Sequence, residues 1–315
     1  MRILVTGGAG FIGSHIVDLL VETGCRVSVA DNLSSGLFEN INPRVNFYKI
    51  DIRDQALAEA IAREKPEAVI HLAAQADVQR SLNDPPADAS INILGTINLL
   101  NACAGYGVGK VVYASTAAVY GNPTYLPVDE DHPAKPQSPY GVSKYTAEHY
   151  LRIYGEFSAV NYTVLRFANV YGDRQDSSAE GGVVAIFAAK LLRGESPCIF
   201  GDGEQTRDFI YVKDVAAACR AALRRGDSGT FNVSTGAGLS VNHLFRELKK
   251  ITGSNLEPVY LPPRPGDITH SFLANESACA SLGWRPRYSL AEGLRETVAR
   301  MSGVLSGVLS GGRGC

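Results

Sequence analysis

Short runs of apolar residues alternate along the first half of the chain with longer segments in which apolar residues recur at helical spacing. Runs without polar alternation are typical of strands that are covered on both faces, as in a parallel sheet. We predict six such strands, at residues 1–6, 26–30, 45–50, 68–72, 110–114 and 162–167. Helices are predicted at 55–64, at 86–105 and again after Ser138. This alternation predicts an α/β fold: a doubly wound parallel sheet of the Rossmann class with right-handed crossovers.

The pattern changes after residue 170, where a polar loop at 173–182 is followed by shorter elements. These are predicted helices at 183–192, 214–224 and 241–251, a strand and turn at 199–209, and a strand at 230–233. The change predicts a second, smaller C-terminal lobe. The expected division is a first domain at 1–170 with a returning segment at about 205–238, a lobe at 171–204 and 239–300, and a glycine- and serine-rich tail at 301–315.

Composition and charge exclude several classes of function. The 315 residues are 45% hydrophobic and 20% charged, with a net charge of -2. A near-neutral chain offers no electrostatic basis for binding nucleic acid or an anionic membrane. The six cysteines are scattered without the spacing of a zinc knuckle or redox pair, so no metal site is predicted. Without a signal peptide or an apolar run of membrane-spanning length, a cytoplasmic protein is expected.

A glycine motif lies between the first predicted strand and the helix that follows it. Gly7, Gly10 and Gly13 are spaced Gly-x-x-Gly-x-x-Gly. Glycines let the backbone approach a pyrophosphate closely, and the helix N-terminus faces its charge. Asp31 ends the second strand, where an acidic side chain accepts hydrogen bonds from a ribose 2'-OH and repels a 2'-phosphate, so NAD is favoured over NADP. The alternatives are a tight structural turn and an Asp31 that only caps the following loop.

A tyrosine and a lysine stand one helical turn apart in the segment after the fifth strand. Ser138 is a good N-cap, Pro139 suits the first helical position, and Tyr140 and Lys144 then share one face. The positive helix end and the ammonium group both favour a phenolate, which would make a base of a side chain whose free pKa is about 10. Thr116 follows the fifth strand, where ligands bind in such sheets and where it could hydrogen-bond a substrate hydroxyl. Taken alone, these residues are better explained by an ordinary amphipathic helix and a capped strand end.

Several motifs together resemble the extended short-chain dehydrogenase/reductase family, in its nucleotide-sugar epimerase branch, and most of all the UDP-glucose 4-epimerases. The motifs are residues 7–13, 31–32, 51–52, 71–74, 115–121, Tyr140 with Lys144, 166–172, 201–209 and 264–267. The resemblance extends over nearly the whole chain, to about residue 300. It implies an NAD-binding Rossmann domain, a substrate-binding C-terminal lobe, a UDP-sugar as substrate and a homodimer joined by helix 86–105 and the Tyr140 helix.

The resemblance also implies a reaction and a role for each matching residue. Tyr140 would take the proton from the sugar 4-OH while hydride passes from C4 to NAD, Lys144 would bind the nicotinamide ribose, and Thr116 would position the 4-OH. A transient 4-keto sugar would turn over, and hydride would return to its other face. The implied cofactor-binding residues are Gly7, Gly10, Phe11, Ile12, Gly13, Asp31, Asn32, Ser35, Asp51, Ile52, Leu72, Ala73, Ala74, Gln75, Asn92, Ser115, Tyr140, Lys144 and Phe167. The implied substrate-binding residues are Thr116, Tyr120, Tyr140, Asn169, Gly182, Val183, Arg207, Arg264 and Asp267.

Two departures from related sequences narrow the expected reaction. Dehydratases of the family carry acidic residues directly after the threonine, whereas this chain has Ala117 and Ala118, which argues against elimination of water. Some 4-epimerases have a bulky tyrosine where this chain has Ser271, so the N-acetylated sugar pair is expected to fit as well. The alternatives are a UDP-glucuronate epimerase, a sugar-nucleotide reductase and a non-catalytic NAD-binding scaffold. Such scaffolds often lose the tyrosine or the lysine, and both are present here.

Overall fold

A seven-stranded parallel sheet forms the centre of the protein. The computed structural model describes residues 1–178, 182–264 and 268–311, with side chains up to residue 303. The strands are β1 Arg2–Thr6, β2 Arg26–Asp31, β3 Asn46–Lys49, β4 Ala68–His71, β5 Lys110–Thr116, β6 Asn161–Phe167, β7 Asn169–Tyr171, β8 Cys198–Phe200, β9 Thr206–Arg207, β10 Phe209–Tyr211, β11 Gly229–Val233, β12 Leu239–Ser240 and β13 Val259–Leu261. The predicted α/β fold class is confirmed by this sheet and the helices beside it.

Helices follow most of the strands. They are α1 Phe11–Glu22, α2 Ala56–Glu64, α3 Val78–Asn83, α4 Pro85–Ala89, α5 Gly95–Gly105, α6 Pro139–Phe157, α7 Val183–Leu192, α8 Val212–Ala222, α9 Val241–Thr252, α10 Glu276–Leu282 and α11 Leu290–Gly311. A π-helical turn at Ser90–Leu94 joins α4 to α5, and 3₁₀ turns occur at Phe38–Asn40 and Ala117–Val119. The predicted helix at 86–105 is therefore one helical segment with a widened turn inside it. Helix α11 continues to Gly311, so helical structure extends into the segment interpreted as a tail.

The order of the strands creates a crevice at the middle of the sheet. The order is β11-β6-β5-β4-β1-β2-β3, so the chain first runs from β1 to one edge and then from β4 to the other. In such sheets ligands bind outside the carboxyl ends of the strands where the order reverses. This topology places the glycine turn after β1 and the segment after β4 on either side of one crevice.

The apolar strand runs are explained by two cores, one on each face of the sheet. In β1, Ile3 and Val5 pack with helix residues such as Ile16, while Leu4 between them packs on the other face with residues such as Leu99. Alternate residues of one strand therefore enter opposite cores, and no polar face remains. This arrangement accounts for the absence of alternation in the sequence.

The C-terminal lobe has a separate core. Helices α7, α9 and α11 contribute buried residues to it, among them Phe187, Leu244 and Leu294. Between the segments of this lobe the chain returns to the central sheet, where β11 pairs with β6 and α8 packs on α1. These contacts support the proposed division, which assigns residues 205–238 to the first domain. Within the described part of the chain, no helix combines the length and apolar character needed to cross a membrane.

Candidate active site

The glycine turn after β1 is packed too closely for any side chain at two of its positions. Gly7 has φ +72°, and a Cβ added there would lie 2.6 Å from the backbone nitrogen of Ala73. A Cβ at Gly13 would lie 2.0 Å from the carbonyl oxygen of Gly7. The N-cap of α1 is Gly10, and no side chain caps this helix end, so its first amide groups are available to a ligand. The turn therefore has the close backbone packing and open helix end that a pyrophosphate site needs, and its contact with a pyrophosphate stays a prediction.

The acidic residue at the end of β2 binds the neighbouring backbone. Asp31 is buried, and its carboxylate accepts hydrogen bonds from the amides of Ala9 (3.0 Å) and Leu33 (2.8 Å). The carboxylate therefore connects the glycine turn to the loop after β2. Its contact with a ribose stays a prediction.

Asn32 and Asp51 meet beside this loop, although they follow different strands. The Asn32 amide donates to Asp51 Oδ2 at 2.9 Å. Arg53 donates to both carboxylate oxygens at 2.8 Å, and these hydrogen bonds lower the pKa of Asp51. Sequence reasoning missed Arg53, whose side chain fixes the orientation of a predicted cofactor residue.

The other predicted cofactor residues lie at strand ends along the crevice. Phe11 and Ile12 begin α1, Ser35 follows β2, Ile52 follows β3, Leu72, Ala73, Ala74 and Gln75 follow β4, Ser115 lies in β5, and Phe167 ends β6. Asn92 lies in the π-helical turn, and its side chain donates to the Gln75 carbonyl (2.9 Å) and to Ser143 Oγ (3.0 Å). Its Oδ1 accepts from the Gln75 amide at 2.8 Å. Asn92 thus holds the segment after β4 against α6, and its direct contact with a cofactor stays a prediction.

Helix α6 begins where the sequence predicts it and presents Tyr140 to the end of β5. Ser138 Oγ accepts a hydrogen bond from the Gly141 amide at 3.1 Å, which confirms the predicted N-cap. Thr116 at the end of β5 lies close enough to Tyr140 to lower the pKa of its hydroxyl, and Lys144 follows one turn later on the same helix. The structure therefore brings the three predicted catalytic residues to one place.

Burial has the largest effect on the pKa values of Tyr140 and Lys144. It raises the pKa of Tyr140 to about 12; the Thr116 hydrogen bond opposes this and the negative charge of Asp88 adds to it. It lowers the pKa of Lys144 to about 7, against the charges of Glu148 and Asp88. The prediction that the helix end and Lys144 would favour a phenolate is therefore wrong for the protein by itself. A neutral phenol at Tyr140 is the stable form at neutral pH.

A buried ion pair lies beneath these residues. Arg166 donates to both oxygens of Glu148, at 2.6 and 3.1 Å, and Ser115 Oγ donates to the same carboxylate at 2.5 Å. The guanidinium group lies 4.8 Å from the ring centroid of Tyr120, whose hydroxyl donates to Asn232 at 2.7 Å. The hydroxyl groups of Ser115 and Tyr120 therefore donate to protein side chains. These hydrogen bonds do not support the prediction that the two hydroxyls contact a ligand. Sequence reasoning missed Glu148, although its position four residues after Lys144 places it on the same helix face.

The predicted substrate-binding residues outside the Thr116–Tyr140 region lie on elements of both the first domain and the C-terminal lobe. Asn169 is exposed in β7, Gly182 and Val183 form the uncapped N-terminus of α7, and Arg207 lies in β9 with its Nη1 2.8 Å from the Thr206 carbonyl. The guanidinium carbon of Arg264 lies 3.8 Å from the ring centroid of Phe200. Asp267 falls outside the described residues. In the described part of the chain, no three His, Cys, Asp or Glu side chains come together to hold a metal ion.

Comparisons with known proteins agree with the geometry. The sequence model of the NAD dependent epimerase/dehydratase family matches residues 3–234. The UDP-glucose 4-epimerase of Thermotoga maritima, solved with UDP-glucose, is 49% identical, with a TM-score of 0.95 over 97% of this chain and 100% of that one. The Thermus thermophilus UDP-glucose 4-epimerase, in complex with NAD, is 43% identical, with a TM-score of 0.91 over 96% and 99%. A UDP-N-acetylglucosamine 4-epimerase from Methanobrevibacter ruminantium, in complex with UDP-N-acetylmuramic acid, is 37% identical, with a TM-score of 0.92 over 97% and 98%.

Proposed function

Since the chain belongs to the NAD dependent epimerase/dehydratase family, we propose that it is an isomerase that interconverts UDP-glucose and UDP-galactose at C4. The observation that carries this proposal is the meeting of Thr116, Tyr140 and Lys144 at the carboxyl end of β5, on the same edge of the parallel sheet as the glycine turn. The predicted resemblance to the nucleotide-sugar epimerases is confirmed by the family match and by the solved relatives.

In the proposed reaction, Tyr140 and Thr116 act on one proton, that of the sugar 4-OH. NAD, when bound, accepts the hydride of sugar C4, returns it and brings a positive charge to the site. Positive charge lowers the pKa of Tyr140 from about 12, so that its oxygen can take the proton of the 4-OH and later return it. Thr116 orients the Tyr140 hydroxyl. The 4-keto sugar turns over before the hydride returns to C4 and the proton to its oxygen, so that the hydride enters from the other face and the configuration at C4 inverts.

The residues around the crevice divide between cofactor and substrate. We assign the pyrophosphate to the glycine turn, the adenosine ribose to Asp31 and Asn32, and the nicotinamide ribose to Lys144. The UDP is assigned to residues from both domains, namely Asn169, Gly182, Val183, Arg207, Arg264 and Asp267. Arginine suits this role because its planar group binds phosphate oxygens in pairs.

Product analysis tests the function directly. The purified protein is incubated with UDP-galactose without added NAD, and the sugar nucleotides are resolved by anion-exchange chromatography. We expect conversion to UDP-glucose until equilibrium, because the hydride returns to the sugar in each cycle and the cofactor is not consumed. If only UDP-glucuronate is converted, the protein is the UDP-glucuronate epimerase. If the reaction requires stoichiometric NADH, the protein is a sugar-nucleotide reductase. No turnover of any UDP-sugar by protein that contains NAD would leave only the scaffold.

The small side chain of Ser271 predicts that N-acetylated sugars are also substrates. Ser271 is half-buried, and its amide donates to the Thr206 carbonyl at 3.1 Å. We expect the wild type to epimerise UDP-N-acetylglucosamine and Ser271→Tyr to lose this activity about 10- to 100-fold, because overpacking costs about 1–3 kcal/mol. Activity on UDP-galactose should be retained in Ser271→Tyr and both activities in Ser271→Ala, measured as kcat/KM. A wild type inactive on the N-acetylated sugar but active on UDP-galactose would contradict the prediction.

Exposed apolar side chains on two neighbouring helical segments support a homodimer. Leu94 in the π-helical turn is 60% exposed, and Val142 and Phe157 on α6 are 48% and 84% exposed. The segment 86–105 packs directly against α6, so these residues belong to one helical layer. We propose that a second copy covers this layer to form a four-helix contact. Analytical ultracentrifugation should give twice the chain mass of 33.6 kDa, and a monomer at micromolar concentration would contradict it.

A cytoplasmic location is also proposed. The five cysteines within the described residues, Cys25, Cys103, Cys198, Cys219 and Cys279, are free thiols. Free thiols persist in a reducing compartment, whereas oxidising compartments favour disulfides. Immunoblotting of cell fractions should recover the protein with cytoplasmic markers, and recovery with secreted proteins would refute this placement.

A further inference from the structure

Asp88 is a buried carboxylate to which the reaction described above gives no role. It lies on α4 and is 1% exposed. Its Oδ1 accepts hydrogen bonds from the side-chain amides of Gln75 and Asn92, each at 3.1 Å. Its Oδ2 is buried and has no hydrogen-bond partner among the described residues. A carboxylate removed from water in this way is costly unless a positive charge lies close to it.

The buried carboxylates around Lys144 are not equivalent. Glu148 is already paired with Arg166 and hydrogen-bonded by Ser115. Asp88 has no arginine or lysine within the 4.0 Å distance of an ion pair among the described residues. Its charge nevertheless acts on both Tyr140 and Lys144 across the contact between α4 and α6. Asn92 joins the two helices, because its side-chain amide donates to Asp88 Oδ1 and to Ser143 Oγ, one residue before Lys144.

Among the other groups around Lys144, only Glu148 has a larger charge effect on its pKa than Asp88 has. The Lys144 ammonium lies 4.2 Å from the ring centroid of Tyr113 on β5. Burial raises the pKa of Tyr113 and lowers that of His71 on β4 to about 3, so both are neutral near pH 7. Glu148 and Tyr140 face Lys144 from its own helix, and Arg166 stands behind Glu148 on β6.

We propose that Asp88 is a positioning residue of the epimerase reaction, and that its negative charge keeps Lys144 protonated at the catalytic site without touching substrate or cofactor. Gln75 and Asn92 hold the carboxylate in place through Oδ1, and they also shape the crevice wall after β4. The inference rests on the proposed function, because it concerns the protonation states of Tyr140 and Lys144 during that reaction.

The sign of the expected pH effect follows from the charges. A negative charge stabilises a protonated lysine and destabilises a phenolate, so Asp88 raises the pKa of Lys144 and that of Tyr140. Neutralising Asp88 lowers both pKa values. In the protein with its cofactor, whose positive charge lowers the pKa of Tyr140, the alkaline limb set by loss of the Lys144 proton and the acidic limb set by ionisation of Tyr140 both move to lower pH.

Asp88→Asn tests the proposal with little structural disturbance. The amide keeps an oxygen for Gln75 and Asn92 and places its NH₂ where Oδ2 has no partner. We expect the pH profile of kcat/KM for UDP-galactose to shift to lower pH by about one unit, the size expected for the loss of a nearby opposite charge. Asp84→Asn is the matched control, because Asp84 is the exposed N-cap one turn earlier and asparagine caps equally well; its profile should not move.

A second readout does not depend on turnover. The ¹³Cε resonance of Lys144 in uniformly labelled protein, assigned with Lys144→Arg, reports the protonation of this side chain directly. Its midpoint, about 7 in the wild type, should fall in Asp88→Asn and stay in place in Asp84→Asn. An unshifted midpoint and pH profile in a folded Asp88→Asn protein would overturn the proposal. A wild type without epimerase activity whose Lys144 midpoint still falls in Asp88→Asn would overturn the proposed function and leave the charge coupling.

Discussion

Replacing Tyr140 by phenylalanine is expected to lower epimerisation of UDP-galactose by about 10²–10⁴, the usual contribution of a positioned general acid or base. The substitution removes only the hydroxyl that exchanges the proton with the sugar 4-OH. The ring stays in the first turn of α6, so the helix and its Ser138 cap should be intact. The measurement is kcat for UDP-galactose, together with the amount of NAD that remains with the purified protein.

The matched control is Tyr106→Phe, which makes the same change at an exposed tyrosine after α5. Its kcat should equal that of the wild type. Retention of NAD by Tyr140→Phe separates a chemical defect from a binding defect. If Tyr140→Phe kept more than a tenth of wild-type kcat, the assignment of the proton transfer to Tyr140 would be wrong.

We expect the Gly13→Ala protein to lose most of its bound NAD. The added methyl carbon would lie 2.0 Å from the Gly7 carbonyl oxygen and 2.9 Å from the Gly8 Cα, and both are backbone atoms. The turn must open to relieve this overlap, and overpacking of about 1–3 kcal/mol corresponds to a loss of NAD affinity of about 10- to 100-fold. The measurement is the molar ratio of NAD to protein after purification, followed by titration with added NAD.

Gly105→Ala is the control for this substitution. Gly105 lies in α5 with open space around it and without a positive φ, so alanine should leave NAD content unchanged and keep or slightly raise the unfolding temperature. A Gly13→Ala protein that retains one NAD per chain at wild-type affinity would show that the glycine turn does not hold the pyrophosphate.

The protonation state of Tyr140 is where the sequence argument failed. Helix position and the lysine one turn away both predicted a phenolate, and both features are present. Desolvation nevertheless raises the pKa of Tyr140 to about 12, and the same burial lowers the pKa of Lys144 to about 7. Spacing along a helix specifies which side chains are neighbours, but not how much water surrounds them. In the protein without ligand, Tyr140 is therefore a neutral phenol.

Asp88 shows a second limit of sequence reasoning. It stands four residues before Asn92, on a segment predicted to be helical, and nothing in that segment distinguishes it from a solvated acidic residue. Its importance arises because α4 packs against α6, where the Asn92 amide meets Ser143 from 51 positions away in the sequence. A contact between segments so far apart leaves no periodic signal in either of them.

The sequence by itself determined the alternation of strands and helices, the glycine turn, the Ser138 cap and the family. Each of these depends on residues close together in the chain, whose spacing follows from the geometry of one helix, strand or turn. Only the tertiary structure decided that Thr116 lies near Tyr140, that Glu148 is paired with Arg166, that the Tyr120 hydroxyl is bonded to Asn232 and that Asp88 is buried where α4 packs against α6. These features depend on desolvation and on charges brought together by packing, and both are set when distant segments close around one crevice.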